Sequence, residues 1–230
     1  MRIAGIEYLT LTDFPGKVAT IVYTVGCNLR CPYCYNVDLL SDEHYKASGR
    51  KEIDEADFFK YLKKNKKMLD GVAITGGEPC LNKDIIPFCE KIKEYGYDIK
   101  IDTNGSNPKI LKELINKNLI SYIAMDIKAP LDKYHLVGYK KDTSIIVETI
   151  ELIKASGIKH EFRCTMNPQL DLEDFKKIAL LCRGSQLYLQ DLLYDANFFD
   201  NSIKDLHVFT DKEKITIART LNSITPTEAR

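Results

Sequence analysis

The sequence predicts an α/β protein on a mostly parallel, barrel-like sheet, and three observations carry the prediction. Six short runs rich in β-branched residues, apolar enough to be buried on both faces, alternate with stretches of helical periodicity. Such alternation implies right-handed βαβ units. Polar residues gather at or just beyond the C-terminal ends of these runs, where a parallel sheet binds its ligands. At 230 residues and 44% hydrophobic, the chain is long enough for one sizeable core. A single domain over 1–230 is expected, with its core at about 18–190 and an extension over 191–230 that carries a last helix.

Residues 1–17 read as an N-terminal segment with a turn at Asp13-Phe14-Pro15-Gly16, because Pro fixes φ and Gly permits a positive one. The first strand, 18–25, is almost continuously apolar and leads into Cys27-Asn28-Leu29-Arg30-Cys31-Pro32-Tyr33-Cys34. Residues 38–51 are polar and mixed, a surface connection. Asp54 caps a helix over about 55–66 that turns Phe58, Phe59 and Leu62 inward. The strand 71–75 runs into Gly76-Gly77-Glu78-Pro79. A helix over about 83–95 stops at Gly96, and the strand 98–102 opens into Thr103-Asn104-Gly105. Asn107 and Pro108 start a helix carrying Ile110, Leu111, Leu114 and Ile115. The strand 122–128 brings Asp126 and Lys128 to its end, and the loop 129–142 follows. A helix over about 144–155 has Ile146, Ile150 and Ile153 at helical spacing, and the fifth strand, 159–165, carries Arg163. Asp171 opens a helix to about Cys182, and the sixth strand, 186–190, ends on Gln190. Residues 191–209, with Tyr194, Phe198, Phe199 and Phe209, are irregular and a weak candidate for a docking surface. Thr210-Asp211-Lys212-Glu213 has capping-box spacing and opens the last helix, to about Leu221; residues 223–230 are expected to fray.

Three thiols on one loop can hold a metal, form a disulfide or fill a core. Structural zinc closes with four ligands, and no second CxxC pair accompanies this one. Three thiolates leave one metal position without a protein ligand, which an iron-sulfur cluster needs if one iron is to bind substrate. Cys27, Cys31 and Cys34 are therefore the candidate ligands. Cys80, Cys89, Cys164 and Cys182 have no CxxC relationship, and Cys89 and Cys182 read as small apolar fillers on helices. Gly76 and Gly77 let backbone approach a ligand closely, while Glu78 offers a carboxylate to an amine. Asp102, Asn104, Asp126, Lys128, Arg163 and Gln190 share the same rim.

CxxxCxxC with an aromatic residue before its last cysteine resembles the signature of the radical S-adenosylmethionine (SAM) superfamily. More narrowly, Thr12-Asp13-Phe14-Pro15-Gly16-Lys17 and the run from Gly26 to Asn36 resemble the activating proteins of anaerobic ribonucleoside-triphosphate reductase, relatives of the pyruvate formate-lyase activating enzymes. The likeness continues through Gly76-Gly77-Glu78-Pro79, Asp102-Thr103-Asn104-Gly105, Asp126-Ile127-Lys128 and Glu161-Phe162-Arg163-Cys164-Thr165, over roughly 3–190. It implies a partial TIM barrel of (β/α)6 type and one 4Fe-4S cluster on Cys27, Cys31 and Cys34. It also implies that SAM chelates the open iron and is cleaved reductively to a 5'-deoxyadenosyl radical. That radical would take hydrogen from a glycine of the reductase, with a low-potential donor such as flavodoxin or ferredoxin supplying the electron. Tyr33 and the backbone at Cys34 and Tyr35 are implied near the adenine, and Gly76, Gly77 and Glu78 at the amino group. Asp102, Thr103, Asp126 and the Ala124 carbonyl resemble a region for a monovalent cation and the SAM carboxylate, with Asn104, Lys128 and Arg163 as further SAM contacts. The chain departs from these relatives at Tyr35, where they usually have His. The rival expectations are activation of another glycyl radical enzyme, modification of a peptide or small molecule, and, more remotely, an electron-transfer or zinc-binding module.

Lys plus Arg and Asp plus Glu number 33 each, so no net field favours nucleic acid or a membrane surface. No signal-peptide pattern opens the chain and no apolar run approaches the ~20 residues of a membrane span. Seven cysteines, an odd number, fit a reducing compartment better than a disulfide framework, and a cytoplasmic location is expected.

Overall fold

The computed structural model describes residues 1–194 and 196–230. Eight strands form one sheet in the order of the sequence: β1 (Ile3–Thr10), β2 (Ala19–Thr24), β3 (Gly71–Gly76), β4 (Asp98–Thr103), β5 (Tyr122–Asp126), β6 (Lys159–Thr165), β7 (Leu187–Gln190) and β8 (Thr227–Ala229). β1 pairs antiparallel with β2, and every later pairing is parallel. β1 and β8 are the two outer strands and do not pair with each other. The six predicted strands are β2 to β7, and the sheet is an unclosed partial barrel as expected.

The helices are α1 (Asp42–Ala47), α2 (Glu55–Lys64), α3 (Ile85–Glu94), α4 (Pro108–Asn116), α5 (Ser144–Ala155), α6 (Leu172–Leu181) and α7 (Asp211–Leu221). They begin where side-chain oxygens can satisfy free amides: Asp54 accepts from the Ala56 amide at 2.7 Å, and both Asp171 with Asp174 and Thr210 with Glu213 form capping boxes. Phe58, Phe59 and Leu62 of α2 are buried and meet Phe88 of α3 at ring separations of 5.6 Å for both phenylalanines. No helix among the described residues is long and apolar enough to cross a membrane.

The structure corrects the two ends of the chain. The N-terminal segment contains β1, whose pairing with β2 is interrupted by two register shifts. Its Gly5, Glu7 and exposed Tyr8 and Leu9 hide the alternation by which a strand is recognised. The tail does not fray. Thr227 donates its amide to Asn222 Oδ1 at 2.9 Å and Thr225 Oγ1 donates to the Ser185 carbonyl at 2.6 Å, so hydroxyls and amides hold β8 where apolar side chains are lacking. The surface connection 38–51 contains α1, and the loop 129–142 contains a 3-10 helix, Leu131–Val137.

The turn at Phe14-Pro15-Gly16-Lys17 closes through Lys17 N–H to the Phe14 carbonyl at 3.0 Å, with Gly16 at φ +73°. It drives Phe14, 2% exposed, against Gly71 and Tyr122 at the N-terminal ends of β3 and β5. Phe14 thus plugs the end of the barrel opposite the polar rim.

Candidate functional site

A cavity of about 540 Å³ opens at the C-terminal ends of the strands. Every site residue named from the sequence lines it except Ala124, which is buried in β5 beside Asp102 of β4.

The three thiols come to this cavity on a loop braced mainly through its backbone. Arg30 donates Nη1 to the carbonyls of Cys27 at 2.8 Å and Leu29 at 2.7 Å, and its own amide bonds the Val137 carbonyl at 2.8 Å. Asn28 accepts from Asn104 Nδ2 at 2.9 Å and donates to Ser106 Oγ at 2.8 Å, tying the loop to the end of β4. From the other side, the Phe199 and Asp200 amides donate to the Cys34 and Pro32 carbonyls, both at 2.9 Å. The extension beyond β7 is thus part of the site's frame. Phe198 is buried in it, leaving Leu193 and Phe199 as its exposed apolar residues nearest the loop.

Burial pushes the Cys31 thiol up to about 12 and also raises Cys27 and Cys34, while the Lys128 ammonium pulls all three back. Lys128 is thus a cation whose field reaches all three thiols. Among the described residues no three His, Cys, Asp or Glu side chains converge on a single metal ion. A four-iron cluster demands less convergence, because each cysteinate binds a different iron. Three thiols on one loop beside an open cavity fit such a cluster, with one iron left for a ligand; they do not fit a structural zinc site.

The glycine pair forms a cradle. Gly76 has φ +110°, and a Cβ there would lie 2.3 Å from the Thr24 amide nitrogen; one on Gly77 would lie 2.2 Å from the Gly26 carbonyl oxygen. Gly77→Ala is expected to cost about 1–3 kcal/mol by overpacking and to weaken SAM binding at least tenfold, roughly 1.4 kcal/mol. Equilibrium dialysis and thermal melts would check it, with Gly5→Ala, whose added Cβ meets its nearest atom at 3.9 Å, as the neutral comparison.

Glu78 does not offer its carboxylate to the cavity as expected. It is 1% exposed; Oε1 accepts from the Cys80 amide at 3.0 Å and Thr103 Oγ1 at 2.8 Å, and Oε2 from the Asn104 amide at 2.6 Å. Burial raises its carboxyl against the opposing pull of these bonds. Glu78 therefore joins the β3 and β4 loops, and the cradle's open face is backbone.

Across the cavity runs a line of alternating charge. Lys100 pairs with Asp102, Arg163 Nη1 donates to Asp102 Oδ2 at 3.0 Å, Arg163 Nε to Asp126 Oδ1 at 2.7 Å, and Lys128 Nζ to Asp126 Oδ2 at 3.0 Å. Burial alone would push both carboxyls up, but Arg163, helped by Lys100 at Asp102 and Lys128 at Asp126, holds them below the usual carboxylate range. All four carboxylate oxygens thus face protein cations, and Thr103 Oγ1 is engaged with Glu78 and the Gly105 amide. This donor set does not fit the expected monovalent cation, because three protein cations, Lys100, Arg163 and Lys128, already stand against the two carboxylates.

Sequence reasoning missed Lys100, Tyr23 and Arg230. Lys100 is 2% exposed and stands two residues before Asp102, so strand alternation puts both on the barrel's inner face. Arg230, placed by β8, donates to Glu161 Oε1 at 2.6 Å and lies 3.8 Å over the Tyr188 ring.

Residues 21–182 match the radical SAM superfamily. The chain is 33% identical over 219 residues to a Methanocaldococcus jannaschii protein provisionally named a glycyl-radical enzyme activating enzyme, covering 92% of this chain and 88% of that one. It is 30% identical over 194 residues to the pyruvate formate-lyase-activating enzyme of Clostridium pasteurianum, covering 80% and 76%. Its fold matches that of Streptococcus suis SuiB bound to S-adenosylmethionine with a TM-score of 0.65 at 16% identity, over 91% of this chain and 49% of that longer one.

Proposed function

The chain belongs to the radical SAM superfamily, and from that premise we propose that it activates a glycyl radical enzyme, with anaerobic ribonucleoside-triphosphate reductase as its protein substrate. The observation that carries the reading is the similarity, over most of both chains, to a protein named for activating glycyl radical enzymes. The choice of the reductase adds the motif series from Asp13-Phe14-Pro15-Gly16-Lys17 to Glu161-Phe162-Arg163-Cys164-Thr165.

The family works with a 4Fe-4S cluster and SAM, which when bound supply reductive cleavage to methionine and a 5'-deoxyadenosyl radical. Cys27, Cys31 and Cys34 would hold three of the irons. Gly76 and Gly77 present backbone to the amino group of SAM, the part first assigned to the Glu78 carboxylate. Lys128, whose Nζ keeps donors beyond its bond to Asp126, meets the SAM carboxylate, and Arg163 holds Asp126 in place for it. Leu29, Leu40 and Leu192 add apolar wall that keeps water from the reacting centre. Tyr33 and Tyr35 flank the nucleoside. The unclosed side between β1 and β8 gives a macromolecular substrate a way in that a sealed pocket would lack.

Mixing the reduced, reconstituted protein with SAM and the reductase is expected to give a glycyl radical signal by electron paramagnetic resonance. SAM cleavage with no radical on the reductase, but a radical on pyruvate formate-lyase or another glycyl radical enzyme, would reassign the partner. The electron donor is expected to be of low potential, such as flavodoxin or ferredoxin.

A further inference from the structure

Tyr33 carries a group that the chemistry above does not use. The residue lines the cavity, yet its hydroxyl is buried and makes no hydrogen bond among the described residues. Buried polar groups almost always have partners, and an unsatisfied one is destabilising. A phenylalanine would fill the same space without that penalty.

The polar side chains that act on this hydroxyl are Cys31, Cys164 and Asp126. Asp126 already receives Arg163 and Lys128 on its two oxygens, and the Cys164 thiol is directed at the Thr165 carbonyl at 3.4 Å. Cys31 remains. It lies beside the hydroxyl, but a thiol sulfur is a weak acceptor and the contact falls short of a hydrogen bond. A cysteinate bound to iron carries negative charge and accepts far better.

We infer that the Tyr33 hydroxyl is a positioning donor reserved for the cluster: it hydrogen-bonds the Cys31 sulfur once that sulfur holds iron. The inference deepens the proposed function and rests on its assignment of Cys31 as a ligand. A hydrogen bond to a ligand sulfur draws charge from it and stabilises the more negative, reduced cluster. The effect is a higher reduction potential.

The test compares the full-length parent with Tyr33→Phe, both reconstituted with iron and sulfide, by redox titration followed with electron paramagnetic resonance in the absence of SAM. Equal iron content and a lower midpoint potential in the variant are expected. The cluster-free variant should melt at the same temperature as the parent or higher, because it has lost an unsatisfied hydroxyl. An unchanged midpoint at full loading overturns the inference. So does a lower melting temperature of the cluster-free variant, which would reveal a partner within the protein. Loss of iron from the variant alone, with its cluster-free melt intact, supports the donor role. Failure of both proteins to take up iron overturns the ligand assignment and this inference with it.

Discussion

Cys27→Ala, Cys31→Ala and Cys34→Ala are each expected to abolish SAM cleavage, by at least a thousandfold or about 4 kcal/mol of barrier, while leaving the fold in place. The activity loss follows because removing any one thiol leaves the cluster two ligands. The fold is spared because the loop hangs on backbone and on Arg30, Asn28 and Asn104 rather than on sulfur. The Leu29 amide at 3.4 Å from Cys27 Sγ and Asn104 Nδ2 at 4.0 Å are the contacts that sulfur makes with the frame. Losing them should cost about 1 kcal/mol or less. Iron and sulfide content, 5'-deoxyadenosine formation and circular dichroism melts would measure all three quantities. Cys164→Ala is the comparison: the thiol is buried outside the cavity wall, and that variant should keep its iron. Full iron content with normal turnover in any of the three variants would remove the ligand assignment.

Much of this site was legible because a parallel sheet turns sequence into geometry. β2 and β3 are almost wholly apolar and all six inner strands are parallel, so the polar residues that end or follow each strand come together on one rim. The inner barrel wall was not legible on the same grounds. Lys100, Tyr122 and Glu161 sit inside strand runs and look like polar interruptions until the alternation of β4, β5 and β6 is laid out. Tyr122 donates to Glu161 Oε2 at 2.9 Å, a contact between adjacent strands that no local pattern announces. β1 and β8 were lost for a related reason: edge strands are half exposed and polar, and pairing decides them more than propensity. The role of Glu78 was misread because motif chemistry names a carboxylate without saying which way it turns. Two backbone amides and a hydroxyl from two different loops turn it inward. The pairing of Asp102 and Asp126, the carboxylates expected at a monovalent cation, was equally hidden, since Arg163 lies 61 and 37 residues away from them in sequence and between them in space.

Arg163→Met is expected to destabilise the protein by about 3–5 kcal/mol at pH 8, because it leaves two buried carboxylates with one cation each. Both are largely shielded, with side-chain exposures of 14% for Asp102 and 20% for Asp126, so solvent does little to compensate. The pH dependence separates lost charge from lost packing. In the parent both carboxyls are held below their unfolded range, so their stabilising contribution is present at neutral pH and is lost only as pH falls through those low folded values. In the variant the leading remaining influence is burial, which pushes a carboxyl up. A raised carboxyl binds its proton more readily folded than unfolded, so the variant gains stability on acidification and loses it as pH rises through the folded value. Urea denaturation at pH 5 and pH 8 should therefore show a smaller gap between variant and parent at pH 5. An equal gap at both pH values would mean that the carboxylates never depended on Arg163 and that the loss is packing alone. Arg163→Lys should itself weaken SAM binding, because Nε and Nη1 reach two different carboxylates at fixed separation and a single ammonium cannot span them. Asp126 would then swing free of the geometry that presents Lys128 to its ligand, and affinity for SAM should fall with the fold still intact.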